Sequence, residues 1–226
     1  DGCEVFSPPM PRKPMFEALK QVCTIITGAG GTVDRRCGFH VHHSVGDFTS
    51  MDLWRLALLT IHYEQVVDGL LAPSRRDNRY CARMHHPQSL WYPPIRRDRR
   101  WVEFLRWYVF LQNRRTIPRN GWSDDYLPHY DFDDLDRYQK VNFRSLGSYG
   151  TVEFRQHQGT LNARKMAMWI DLTQRLIERA RHPLTFGIRH NTAPALLEGM
   201  FEQLSIPAQS PQARYWRERQ EELSAG

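Results

Sequence analysis

Apolar residues recur at helical spacing over 14–27, where Met15, Leu19, Val22, Cys23 and Ile26 share a face and Gly28, Gly30 and Gly31 end the pattern. A second helical stretch covers 51–71, with Leu53, Leu56, Ala57, Thr60, Ile61, Val67 and Leu71 on its apolar side and Glu64 as a polar break; Thr49 and Ser50 are its candidate N-caps. Short runs that read as strands lie at 2–7, 37–45, 140–146 and 151–157. The last two, joined through Gly147 and Gly150, are predicted to pair as a hairpin. An aromatic helix is expected near 99–112, a long helix over 163–181, a small helix from 192 or 193 to about 204, and a charged helix after Pro211. Residues 73–98 and 113–137 read as irregular. The irregular alternation of strands and helices favours an α+β fold over a doubly wound sheet.

Composition narrows the class. The chain has 226 residues, 41% hydrophobic and 25% charged, which suits a globular protein with a real core and excludes a disordered one. No apolar run approaches a membrane span and no leader pattern is visible, so no membrane partner is expected. The net charge is +6, and 27 of the 31 basic residues are arginine, lysine standing only at 13, 20, 140 and 165. Such charge suits nucleic acid, but equally a phosphate-bearing or acidic substrate. Cys3, Cys23, Cys37 and Cys81 form no C-x-x-C pair, which argues against zinc fingers and thioredoxin-like sites and predicts reduced thiols in a cytoplasmic protein.

Three segments carry candidate chemistry. In Tyr149-Gly-Thr-Val-Glu-Phe-Arg-Gln-His-Gln-Gly-Thr-Leu161, strand alternation puts Glu153, Arg155 and His157 on one face and Val152, Phe154 and Gln156 on the other. Three ionisable groups make a poor core face, although a solvated salt bridge would explain them as well. In Cys37-Gly-Phe-His-Val-His-His-Ser-Val45, His40, His42 and Ser44 share a face, opposite Phe39, Val41 and Val45; two histidines at this spacing can converge on a metal or an anion. In Gly2-Cys-Glu-Val-Phe-Ser-Pro-Pro9, Glu4 is an acid in an apolar run, which points either to a partner or to water.

Together these segments resemble the amidoligase family, within the glutamine-synthetase-like carboxylate–amine ligases. The resemblance rests on Gly2–Pro9, the Cys-Gly-Phe-His-Val-His run at 37–42, and Thr151-Val-Glu-Phe-Arg-Gln-His-Gln-Gly-Thr-Leu-Asn162. Tyr138-Gln-Lys-Val-Asn-Phe143 and the helix containing Trp169 add to it. It implies a curved, mainly antiparallel sheet with helices packed on its convex face and the site on the concave face. It divides the chain into a catalytic domain over 1–182, with a loop-rich specificity insert at 73–137, and a helical C-terminal extension over 183–226. It also implies ATP and Mg²⁺ or Mn²⁺. ATP would phosphorylate a substrate carboxylate, and an amine would then displace phosphate to form an amide.

Carried over by position, Glu153 and His40 resemble ligands of one metal and Glu4 a ligand of a second. Arg155 resembles the arginine on the transferred phosphoryl group, and His42 and Ser44 resemble nucleotide-phosphate contacts. Arg83, in Arg79-Tyr-Cys-Ala-Arg83, is the expected contact for the substrate carboxylate, unless it pairs with a surface acid. His157 is placed at the rim, touching substrate or serving structure. The class also uses a Glu-x-Glu strand ahead of the Gly2 segment, expected upstream, from another chain, or lost from a depleted site. The resemblance implies carboxylate and amine substrates, borne by a small molecule, a peptide or a protein. Two other readings use the same residues: a His-x-His metal hydrolase built on His40, His42, His157 and Glu153, and an Arg-rich nucleic-acid-binding or structural protein using Arg75–Arg83 and Arg96–Arg100.

Overall fold

The computed structural model describes residues 3–84, 101, 104, 105, 107–109, 131–184 and 196–225. Helix α1 (Arg12–Gly28) leads to strand β1 (Gly38–Ser44), helices α2 (Ser50–His62) and α3 (Glu64–Gly69), and a 3-10 turn at Pro73–Arg75. Strand β2 (Val141–Asn142), helix α4 (Ser145–Tyr149), strand β3 (Thr151–Gln158) and the long helix α5 (Ala163–Ala180) follow, and then α6 (Leu197–Gln203) and α7 (Pro211–Ser224). The three strands form one open antiparallel sheet in the order β1-β3-β2. The architecture is α+β.

Local chemistry explains most boundaries. Thr49 and Asp52 close a capping box at the start of α2, worth about 1 kcal/mol. The side chain of Asn162 accepts from the Lys165 amide and caps α5. The stretch expected as one helix over 51–71 is two, because the chain turns at Tyr63, whose hydroxyl donates to the Gly199 carbonyl at 3.1 Å. The strand expected over 140–146 shrinks to two residues. The side-chain oxygen of Asn142 accepts from the Arg144 amide at 2.9 Å and bends the chain into α4, which ends at Gly150 in the left-handed region. The expected pairing of the last two strands holds, with Val141 opposite Phe154 and Asn142 opposite Glu153.

Residues 3–11 form no strand, and Val5 and Phe6 are exposed. Apolar residues make a strand only beside a neighbour with free backbone groups, and Pro8, Pro9 and Pro11 remove donors here.

Helix α5 lies against the sheet and α2. Its Trp169, Leu172, Leu176 and Ile177 join Leu53, Leu56 and Ala57 of α2 and Val41, Val152 and Phe154 of the sheet in one core. Residues 104, 105 and 107–109 are helical and buried in that core, as the aromatic pattern predicted. Met200, Phe201 and Trp216 of the C-terminal helices belong to the same core, so residues 196–225 are packed into the body of the protein. Each such side chain contributes about 1.5–3 kcal/mol on full burial. No helix among the described residues is long and apolar enough to cross a membrane.

Candidate active site

The site forms where β1 and β3 pair. His42 stands opposite Glu153, and Val41 opposite Phe154; beyond them the register shifts, so that Arg155 and Gln156 together face the single residue His40. This β-bulge turns the alternation of β3 over. Before it, Glu153 and Arg155 share the face of His40 and His42. After it, His157 pairs with Phe39 and joins the opposite, helix-facing side, with its ring 5.9 Å from Phe39 and 5.5 Å from Trp169 of α5. The expected single face of Glu153, Arg155 and His157 is therefore corrected: the structure brings the first two together and buries His157 against α5. Burial pushes the His157 imidazole down to about 4, although its Nδ1 lies 2.7 Å from the Gln158 carbonyl. His43 occupies the same helix-facing side, 2.8 Å from Thr173 Oγ1, and burial lowers it likewise to about 4.

Glu153 is the hub. Its Oε1 receives Arg155 Nη1 at 2.6 Å and His40 Nδ1 at 3.1 Å, and His42 Nε2 lies 3.8 Å away. Its Oε2 receives Asn142 Nδ2 at 2.7 Å from β2. The carboxylate is 5% exposed. Burial alone would raise its pKa, but hydrogen bonds from His40 and Asn142 and the charges of Arg155 and His42 outweigh burial and hold it at about 2. Arg155 is 7% exposed; its Nε reaches the Tyr80 carbonyl at 3.4 Å, and its guanidinium lies 5.8 Å from the centre of the Tyr138 ring.

The open side of the cluster is formed by β1. The His42 side chain is 43% exposed, with Nδ1 3.0 Å from Thr151 Oγ1. Burial lowers its pKa, with Glu153 opposing and His40 and Arg155 adding to the drop. Ser44, two residues further along, is exposed opposite Thr151.

Arg83 and Glu4 lie apart from this hub. Arg83 is 69% exposed and pairs with Asp77 at 3.3 Å. Glu4 is exposed in the irregular N-terminal segment. Arg96–Arg100 lie outside the described residues. Two contributors went unassigned in the sequence. Asn142 sits in the Tyr138–Phe143 run that contributed to the resemblance, which was the available signal. Arg75 had none, since Arg75, Arg76, Arg79 and Arg83 look alike in an irregular segment. Behind the site, Lys140 is fully buried and bridges Glu64 at 2.9 Å and Asp68 at 2.8 Å, while its carbonyl accepts from the Arg155 amide at 2.9 Å.

A family model described as "putative amidoligase enzyme" matches residues 1–177. The chain belongs to this family. Every residue of the Glu153 cluster lies inside the matched region, and the family suggests a ligase. No curated protein and no solved structure matches the chain.

The cluster is an ion-paired network rather than a metal cage, for no group of three or more His, Cys, Asp or Glu among the described residues is arranged to hold a metal ion. One carboxylate beside two imidazoles still suits Mg²⁺ of the kind that arrives with a nucleotide, since that ion takes one or two carboxylates and fills its shell with phosphate oxygens and water.

Proposed function

We propose that the protein is an ATP-dependent carboxylate–amine ligase that makes an amide through an acyl phosphate. The observation that carries this reading is the Glu153–Arg155 ion pair with His40 and His42 on one accessible sheet face, inside the region matched by the amidoligase family. In the first step a carboxylate oxygen attacks the γ-phosphorus of ATP and ADP leaves. In the second an amine nitrogen attacks the acyl carbon, phosphate leaves with the C–O electron pair, and the nitrogen gives up a proton.

Both steps bring anions together, so fixed donors set the rate. Arg155 offers a planar fork suited to a phosphoryl group. Glu153 holds that fork in place from two residues away, and Tyr138 supports it from above. His42 and Ser44, exposed further along β1, are the nucleotide-phosphate donors of this reading. Mg²⁺ or Mn²⁺ would be held by Glu153 with His40 beside it, and would neutralise the polyphosphate. Glu4 as a second ligand and Arg83 as the carboxylate contact belong to the same proposal, and each requires its segment to approach the cluster. The reading places the protein in the cytoplasm, with a small molecule, peptide or protein as substrate.

The hydrolase alternative loses its third histidine to the bulge, which sets His157 on the opposite face. The nucleic-acid alternative gains nothing from the described arginines of 75–83: Arg75 is buried, Arg79 stacks on Tyr80 and Arg83 pairs with Asp77. The deciding experiment is ADP release with Mg²⁺ and a panel of carboxylates, using hydroxylamine to trap acyl phosphate as hydroxamate. ADP and hydroxamate that both depend on the acid support the ligase; ADP release indifferent to the acid overturns it.

A further inference from the structure

Among the described residues, Arg75 is a buried cation without an anion. It comes from the 3-10 turn Pro73–Arg75, is 4% exposed, and lies close to Arg155. Its Nη2 donates to the Arg155 carbonyl at 2.5 Å, and its Nε has no hydrogen-bond partner among the described residues. No acidic side chain among the described residues pairs with it; burial and the charge of Arg155 both lower its pKa, and the Cys81 thiol lies nearby. A buried guanidinium costs several kcal/mol unless it is paired, and buried donors are almost always satisfied. The neighbouring buried Arg155 meets the Glu153 carboxylate, and Arg75 has no such partner among the described residues.

Its neighbours say what is missing. A Cβ added at Gly38 would stand 2.8 Å from His40 Nε2 and 3.2 Å from Arg75 Nη2. The bare glycine thus lets the imidazole and the guanidinium approach each other. His40 turns its Nδ1 to Glu153, which leaves Nε2 on the Arg75 side. The His40 side chain is 28% exposed, while Arg75 beside it is buried.

We infer that Arg75, with His40 Nε2 beside it, is a second anion seat next to Arg155, built for an oxyanion of substrate, either a phosphoryl group or a carboxylate. The inference rests on the ligase reading for the identity of that substrate, but not for the existence of the seat. Two arginines from separate segments would then hold the two anions that the reaction must bring together, Arg155 one and Arg75 the other. Arg75, rather than the exposed Arg83, is the buried arginine of its segment.

The test follows the Arg75 Nε–Hε signal by NMR in the full-length ¹⁵N-labelled protein, assigned through its own side-chain carbons. Inorganic phosphate is titrated in one arm and acetate in the other. A saturable shift with phosphate alone makes the seat phosphoryl-binding, a shift with acetate alone makes it carboxylate-binding, and a shift with both leaves it a general oxyanion seat; each supports the inference. A signal unmoved by either anion overturns it, whether or not any variant folds. Arg75→Gln keeps a donor for the Arg155 carbonyl but removes the charge, and should weaken binding of the active anion by about tenfold or more. A folded Arg75→Gln with unchanged anion affinity also overturns the seat. An anion-responsive Arg75 in a protein that never releases ADP would reject the ligase and keep the seat; acid-dependent ADP release with an unresponsive Arg75 would do the reverse.

Discussion

Arg155 and Glu153, two residues apart on β3, form a 2.6 Å ion pair at the start of the bulge that turns the rest of the strand over. The pair is short, buried and braced from three directions: by Asn142 of β2, by His40 of β1, and by the Tyr80 carbonyl against Arg155. An isolated surface pair would contribute little. A buried pair held by further hydrogen bonds fixes geometry, and removing either partner strands the other.

Glu153→Gln removes the negative charge but keeps an oxygen for Asn142. ATP turnover should fall below detection, and stability should drop by about 3–5 kcal/mol because Arg155 is left buried and unpaired. The folded-state pKa of Glu153 is depressed to about 2 from 4.5. Its stabilisation is therefore present above the unfolded value and is lost as pH falls toward 2. Urea melts of wild type and Glu153→Gln should converge over that window. A constant gap between pH 6 and 2 would remove Glu153 from the role of charged hub.

Arg155→Lys keeps the charge but loses the fork. The rate of amide formation should fall on the order of 10²-fold, with much less change in stability than for Glu153→Gln. Steady-state kinetics beside thermal melts checks this; an unchanged rate would take phosphoryl contact away from Arg155.

Lys140→Met takes this cation away from buried Glu64 and partly buried Asp68. Unfolding free energy should fall by about 3–5 kcal/mol. Replacing Lys140, Glu64 and Asp68 together by apolar residues should restore much of the stability. Denaturant titration of the single and triple variants decides it, and a Lys140→Met protein as stable as wild type would contradict the buried bridge.

His43 and His157 are held at about 4 by burial, well below the ordinary 6.5. Between those values the unfolded chain takes up protons that the folded chain refuses, so stability falls as pH drops from about 6.5 to 4 and is fully present above that window. His157→Gln should make the fall shallower. Urea midpoints measured across this range test it, and equal slopes in both proteins would mean that His157 is not buried as a neutral ring.

Much of this was written in local pattern. Helical spacing marked α1 and α5. Strand alternation correctly put His40 and His42 on one face and Glu153 with Arg155 on one face, because period two follows from backbone geometry alone. Tertiary structure decided the rest. The bulge at Arg155 and Gln156 arises from pairing with β1, and no residue type within 151–158 announces it; it is what sends His157 to the helices. The turn at Tyr63 depends on α6, more than a hundred residues away. The choice of Arg75 over Arg76, Arg79 and Arg83 for the interior had no periodicity to express it, because the segment is irregular and burial there is set by contact with β1 and β3. Sequence by itself determined which chemical groups were present and, within each regular element, which way they faced; only the packing of separate elements decided which of them meet.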